Sequence, residues 1–266
     1  MDKTKIDWCD STWNPVTGCL HGCEYCYARG IAKRFSGHGE DWSDENIHIL
    51  DKKIYGVEAE RSEPYPYGFE PTFHRYRLDE YLHKSGRNIF VCSMADLFGE
   101  WVPDSWIEEV FEACRRAPQH NYLFLTKNYL RASKYKFEKN WWIGRTFTHQ
   151  EPCGNSNKNL YLCYGDPWST DITKRANQFL SLEPLLGEVT DLPYYAHEYG
   201  YKWVIVGAET GNRKRKVIPE REWIEKIVKD CAFRNVPVFM KSSLTDIWGE
   251  QLIQEFPKQL IHKTGI

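Results

Sequence analysis

The stretch NIFVCSMADLFGEWVPDSWIEEVFEACRRAPQHNYLFLTK, residues 88–127, decides the fold. It opens on a short run of β-branched and aromatic residues, Asn88–Cys92, and closes on another, Tyr122–Thr126. Between them, after Pro103, the residues Ile107, Val110, Phe111 and Cys114 fall at i, i+3, i+4 and i+7, with Asp104 or Ser105 placed to cap a helix. Strand, helix, strand in succession is the unit of a parallel sheet with right-handed crossovers.

The same alternation extends in both directions. Trp142–Phe147, Gln178–Leu182, Trp203–Gly207 and Val236–Met240 read as further strands, with a weaker one around Trp13–Thr17. These runs are short and largely apolar, as in strands covered on both faces. After Pro219, Trp223, Ile227, Val228 and Cys231 make a second helical stripe; a third helix runs from near Glu24 through Ala28, Ile31 and Ala32 to about Phe35, ended by Ser36-Gly37. The expectation is an α/β fold, a partial (β/α) barrel of about six to seven units rather than a full eightfold one. It forms one domain over 1–266. The segment from about 38 to 87 is polar, rich in Pro and Tyr and without a clear period, and is expected to be an irregular insertion.

Composition narrows the function. Of the 266 residues 27% are charged, and the formal net charge is −2, which excludes the basic envelope of a dedicated duplex-DNA binder. There is no apolar run long enough to span a bilayer and no secretory leader pattern, so the expected location is cytoplasmic, with no membrane partner. Nine cysteines, an odd number in such a chain, point to metal binding or catalysis rather than a disulfide framework.

Polar residues collect where the strands end. Ser93 and Asp96 follow the first strand of the opening stretch, and Thr126-Lys127 the second; Thr146 and Thr148, Ser181 and Glu183, Glu209, and Lys241 follow the others. In α/β barrels that face carries the active site. Arg213-Lys214-Arg215-Lys216 lies just past one strand and reads either as a solvated charged loop or as a site where cations such as Arg213 and Arg215 would grip a phosphate backbone or a nucleotide, with Lys241 a further substrate contact. Trp42, Tyr65, Tyr67, Trp141 and Trp168 look exposed enough to stack on bases, although aromatics this numerous more often serve core or lid packing.

The sharpest motif is Gly18-Cys19-Leu20-His21-Gly22-Cys23-Glu24-Tyr25-Cys26-Tyr27, three cysteines at C-x3-C-x2-C between a strand and a helix. Thiolates at that spacing can wrap one soft metal centre. Three ligands hold three irons of a 4Fe–4S cluster and leave the fourth open, whereas a closed cluster takes four. The alternative is structural zinc on Cys19, Cys23, Cys26 and His21 or a distant ligand, in a nucleic-acid- or partner-binding protein without redox chemistry. Of the other cysteines, Cys114 and Cys231 lie on apolar helix stripes and belong to the core. Cys92 is either packed or functional. Cys9, Cys153 and Cys163 read as solvent-near thiols, with an auxiliary cluster as the other option.

The cysteine spacing, with an aromatic residue before the last cysteine, resembles the radical S-adenosylmethionine (SAM) superfamily. The string Trp13-Asn14-Pro15-Val16-Thr17-Gly18-Cys19, continuing through Cys26-Tyr27-Ala28-Arg29, is similar to a phage-associated branch of unassigned reaction. Around the cysteines that branch is similar to spore photoproduct lyase and its relatives. The later segments Phe90–Phe98, Leu125-Thr126-Lys127, Phe179–Gly187 and Trp203–Gly211 carry the resemblance over most of the chain.

The resemblance implies a 4Fe–4S cluster on Cys19, Cys23 and Cys26, with SAM as the second cofactor and a flavodoxin- or ferredoxin-type electron donor. SAM bound at the open iron would be cleaved to methionine and a 5′-deoxyadenosyl radical that takes hydrogen from a substrate. It further implies that Tyr25 packs near the adenine and that Asp96, with Ser93, receives the SAM amino group. Thr126 and Lys127 would meet its carboxylate, Ser181 and Glu183 its ribose, and Glu209 would face cofactor or substrate. A nucleobase or nucleotide is the expected substrate, in modification or repair; a peptide or small metabolite is the alternative.

Overall fold

The computed structural model describes residues 4–36, 47–55, 62–148, 176–190, 192, 200–211 and 213–260. The chain divides into two compact units, Met1–Ala132 and Ser133–Ile266.

In the first unit, β1 (Ser11–Trp13), β5 (Asn88–Val91) and β6 (Asn121–Thr126) are parallel neighbours, with Ser11 opposite Ile89 and Ile89 opposite Tyr122. A small second sheet joins β2 (Val16–Thr17) antiparallel to β4 (Thr72–His74), which pairs parallel with β3 (His48–Leu50). The run expected as one weak strand, Trp13–Thr17, is therefore two short strands in two sheets. Pro15 between them has no N–H to give to a ladder. Within the stretch 38–87, expected to be irregular, the described residues form β3 and β4 and send Phe69, Phe73 and Tyr81 into the core.

Helix α1 covers Tyr27–Phe35 and α2 Asp104–Arg116; a single turn, α3, covers Tyr129–Ala132. The predicted stripe of α2 is the buried one: Ile107, Val110, Phe111 and Cys114 are each at most 1% exposed. Its start differs from expectation. Pro103 holds the cap position and no side chain caps the helix, while Asp104 lies in the first turn, where its charge suits the helix dipole. Asp104 meets Arg131 instead, at 2.5 Å.

The second unit has four parallel strands in the order β7 (Trp141–Thr146), β8 (Asn177–Leu182), β9 (Val204–Val206) and β10 (Val238–Met240). Helix α4 (Arg221–Phe233) buries Ile224, Ile227 and Cys231 against Leu180, Leu182, Val204, Val206 and Met240; a single turn, α5, follows at Thr245–Trp248. The parallel strands run in the order β1-β5-β6 in the first unit and β7-β8-β9-β10 in the second. This is the expected α/β class, a partial (β/α) barrel.

Among the described residues the Trp and Phe side chains are mostly core. Trp8, Trp13, Trp106, Trp141, Trp142 and Trp203 are at most 2% exposed, and Phe111 meets Phe124 edge-on at 5.5 Å. Trp141 is thus a core residue, the packing reading of these aromatics rather than the base-stacking one. Tyr65 and Tyr67 are half-buried, and Tyr67 stacks on His48 at 3.7 Å. Trp42 and Trp168 lie outside the described residues. Cys114 and Cys231 are core as expected, and Cys92 is packed as well. Cys9, expected near solvent, is 2% exposed and donates its S–H to the Ile6 carbonyl. Cys153 and Cys163 lie outside the described residues.

Candidate functional site

In the first unit the chain leaves β2 and turns at Gly18, where the backbone takes φ +87. A Cβ there would stand 2.2 Å from the Glu70 carbonyl oxygen, so only glycine lets the loop pass so close to its neighbour. The Gly18 N–H donates to the Met94 carbonyl and the Cys19 N–H to the Phe69 carbonyl. The cysteine loop is thereby seated beside the segment that follows β5. Helix α1 was expected from near Glu24; it begins at Tyr27 because Cys26 is its cap, with a thiol that accepts from the Arg29 N–H at 3.4 Å.

Cys19, Cys23 and Cys26 are free and half-buried. Burial is the main cause that pushes the Cys19 thiol up to about 12; the backbone N–H of His21 opposes this, and Asp96, Cys26 and Cys23 add to it. The three sulfur groups therefore feel one another. Among the described residues, no three His, Cys, Asp or Glu side chains are gathered closely enough to hold a metal ion.

Asp96 is the hub of the neighbouring polar groups and is 5% exposed. One carboxylate oxygen accepts from the Thr126 hydroxyl at 2.7 Å and the Phe98 N–H at 3.1 Å. The other accepts from the Lys127 N–H at 2.9 Å and from His21 Nε2 at 2.8 Å. Burial alone would push its pKa up, but the hydrogen bonds from His21, Thr126 and Lys127 outweigh that and hold the carboxyl below its usual range.

Ser93 donates to the Asn14 side-chain oxygen at 3.1 Å, and its carbonyl accepts from the Tyr27 hydroxyl at 2.7 Å. The Lys127 ammonium stands 5.6 Å from the centre of the Tyr25 ring. The structure thus brings Tyr25, Ser93, Asp96, Thr126 and Lys127 together around the cysteine loop. Two partners were missed by sequence reasoning. Asn14 ties its own segment to Ser93 and Met94, and His21, weighed only as a metal ligand, meets Asp96. Asn14 had a signal in the string Trp13–Cys19; His21 had none beyond its place between two cysteines.

In the second unit, two predicted carboxylates are paired with two predicted cations. Glu183 forms an ion pair with Lys241. Glu209, 6% exposed, accepts two bonds from the Arg213 guanidinium, at 2.7 and 2.6 Å, and that guanidinium holds its carboxyl below the usual range. Arg213 therefore serves Glu209 first, contrary to the reading of it as an open phosphate grip. Arg215 is exposed, as are Lys214 and Lys216. Ser181 is 1% exposed, and its hydroxyl has no partner among the described residues.

Parallel strands in this order, with polar groups at their ends, define the chain as an α/β protein of the partial (β/α) barrel class. It belongs to the DUF5131 family, described as proteins of unknown function; the family model matches residues 3–260. The search of curated proteins finds no match. Among solved structures, one described as a spore photoproduct lyase double mutant with bound AdoMet and dinucleoside spore photoproduct is similar, at 9% identity. The likeness covers 89% of this chain and 78% of that one, with a TM-score of 0.48. Among the described residues no helix is long and apolar enough to cross a membrane.

Proposed function

We propose that this protein is a radical SAM enzyme whose 4Fe–4S cluster is held by Cys19, Cys23 and Cys26. The observation that carries the reading is the cysteine loop itself. It places three free thiols between strand β2 and helix α1, and its neighbours are the polar residues that follow β5 and β6. The donor set suits the group: three soft ligands, none engaged in a disulfide, one of them at the N-terminus of a helix, where negative charge is favoured.

A cluster held by Cys19, Cys23 and Cys26 would supply the electron for reductive cleavage of SAM, and so the radical chemistry for hydrogen abstraction from a substrate. This chain's residues orient and shield. Met94, Phe69, Ala28 and Ala32 form an apolar cluster against which Cys19 and Cys26 pack, keeping water from one side of the sulfurs. Tyr25, with the Lys127 ammonium near its ring, offers a flat face to an adenine and a cation to a carboxylate. In the second unit, the Ser181 hydroxyl, without a partner among the described residues, and the Glu183 carboxylate, paired with Lys241, offer polar contacts to a hydroxylated ligand. A nucleobase or nucleotide is the proposed substrate class, met by Arg215 and its exposed neighbours, and a flavodoxin- or ferredoxin-type protein is the proposed reductant.

Anaerobic reconstitution tests the reading. The expected result is about four iron and four sulfide per chain, a brown absorbance lost in Cys19→Ala, and 5′-deoxyadenosine formed from SAM under a strong reductant. One observation favours the zinc alternative. His21, between Cys19 and Cys23, donates to a carboxylate as metal-bound histidines do. Stoichiometric zinc in colourless, anaerobically purified protein would decide for zinc and against the cluster.

A further inference from the structure

We infer that Asp96 and His21 form a clasp that holds the cysteine loop in register with the strand ends, making Asp96 a positioning residue for the metal centre. The inference rests on the cluster reading above, and it changes the job of Asp96 within it. An ionised carboxylate offers about four acceptor directions, and here four donors take them: the Thr126 hydroxyl, the Phe98 and Lys127 N–H groups, and His21 Nε2. Nothing is left for the amino group of a ligand unless one of these donors lets go.

The four donors are of two kinds. Phe98, Thr126 and Lys127 belong to the segments that follow β5 and close β6, so they fix the carboxylate to the sheet. His21 belongs to the cysteine loop, two residues from Cys19 and two from Cys23. Its imidazole is tied to the carboxylate while its backbone belongs to the loop that carries those two thiols. The Trp101 ring meets the imidazole edge-on at 4.9 Å and limits its swing. Beside it, Gly22 is exposed at φ +68, and a Cβ built there would touch nothing within 4 Å. That side of the loop is unpacked, so its position depends on its ties rather than on a core.

The test is made first on cluster-free protein, by timed iodoacetamide labelling read cysteine by cysteine in a mass spectrometer. In His21→Ala, a surface-side change, Cys19, Cys23 and Cys26 are expected to label about ten-fold faster or more, as follows from losing a hydrogen bond to a charged group. Cys92, Cys114 and Cys231 stay protected. Asp96→Asn keeps the acceptor facing Thr126 and Phe98, and moves the same three cysteines in the same direction. After reconstitution, both variants are expected to lose iron about ten-fold faster, while SAM affinity per loaded centre stays within about two-fold of wild type.

Three results overturn the clasp. One is unchanged labelling of the three cysteines in His21→Ala. Another is labelling of Cys92 and Cys114 along with them, which would mean general unfolding. The third is SAM affinity more than about ten-fold weaker in fully loaded Asp96→Asn, which would place Asp96 on the cofactor. Wild-type protein that takes up no iron and sulfide overturns the radical reading instead; the labelling needs no metal and still decides the clasp.

Discussion

Lys241, just past the end of β10, forms an ion pair with Glu183, just past the end of β8, across the strand that lies between them. The gap is opened by Gly207 at the end of β9, where a Cβ would stand 2.9 Å from the Lys241 side chain and 3.3 Å from that of Glu183. Both charged side chains are mostly removed from water, at 16% and 23% exposure. Removing one therefore leaves the other poorly solvated.

Lys241→Met is expected to destabilise the protein by about 1–3 kcal/mol, and adding Glu183→Gln to recover part of that loss. Gly207→Ala should show coupling with Lys241→Met, because both break the same crossing. Urea unfolding of the singles and doubles measures this. Additive losses would show that the pair contributes nothing of its own.

Gly18→Ala is expected to cost about 2 kcal/mol or more, since the new methyl group meets the Glu70 carbonyl and the backbone is left-handed at that point. Gly22→Ala shares the positive φ but has open space, so its cost should be the smaller of the two. Thermal melts of both variants give the comparison; equal losses would assign the whole effect to the backbone angle.

His74 is fully buried and shares hydrogen bonds with the Thr17 and Tyr76 hydroxyls. Burial, aided by the Arg77 charge, pushes its pKa down to about 2 from 6.5. The unfolded chain therefore binds a proton first. Stability is full above pH 6.5 and is lost as pH falls from there toward 2, by up to about 1.4 kcal/mol per pH unit. His120, also lowered by burial, acts in the same direction. Chemical unfolding at pH 7, 6 and 5 should show that slope, and His74→Gln should reduce it.

The sequence alone determined the strand–helix alternation, because the period of apolar residues is a local property of the chain. Asn88–Val91, the stripe of α2 and the strands of the second unit lie within a residue or two of their predicted places. The cysteine spacing is local too, so Cys19, Cys23 and Cys26 could be singled out from the primary structure. Packing decided the rest. Cys9 and Trp141 are buried, although nothing in their immediate neighbours requires it.

Only the tertiary structure paired Asp96 with His21, 75 residues away, and Glu183 with Lys241, 58 residues away. A sequence shows which residues carry charge and hydrogen-bonding groups. Which groups satisfy one another is set by burial and by the meeting of strand ends distant in the chain. That is why residues read as open contacts, Asp96 and Arg213 above all, prove to be already engaged within the protein.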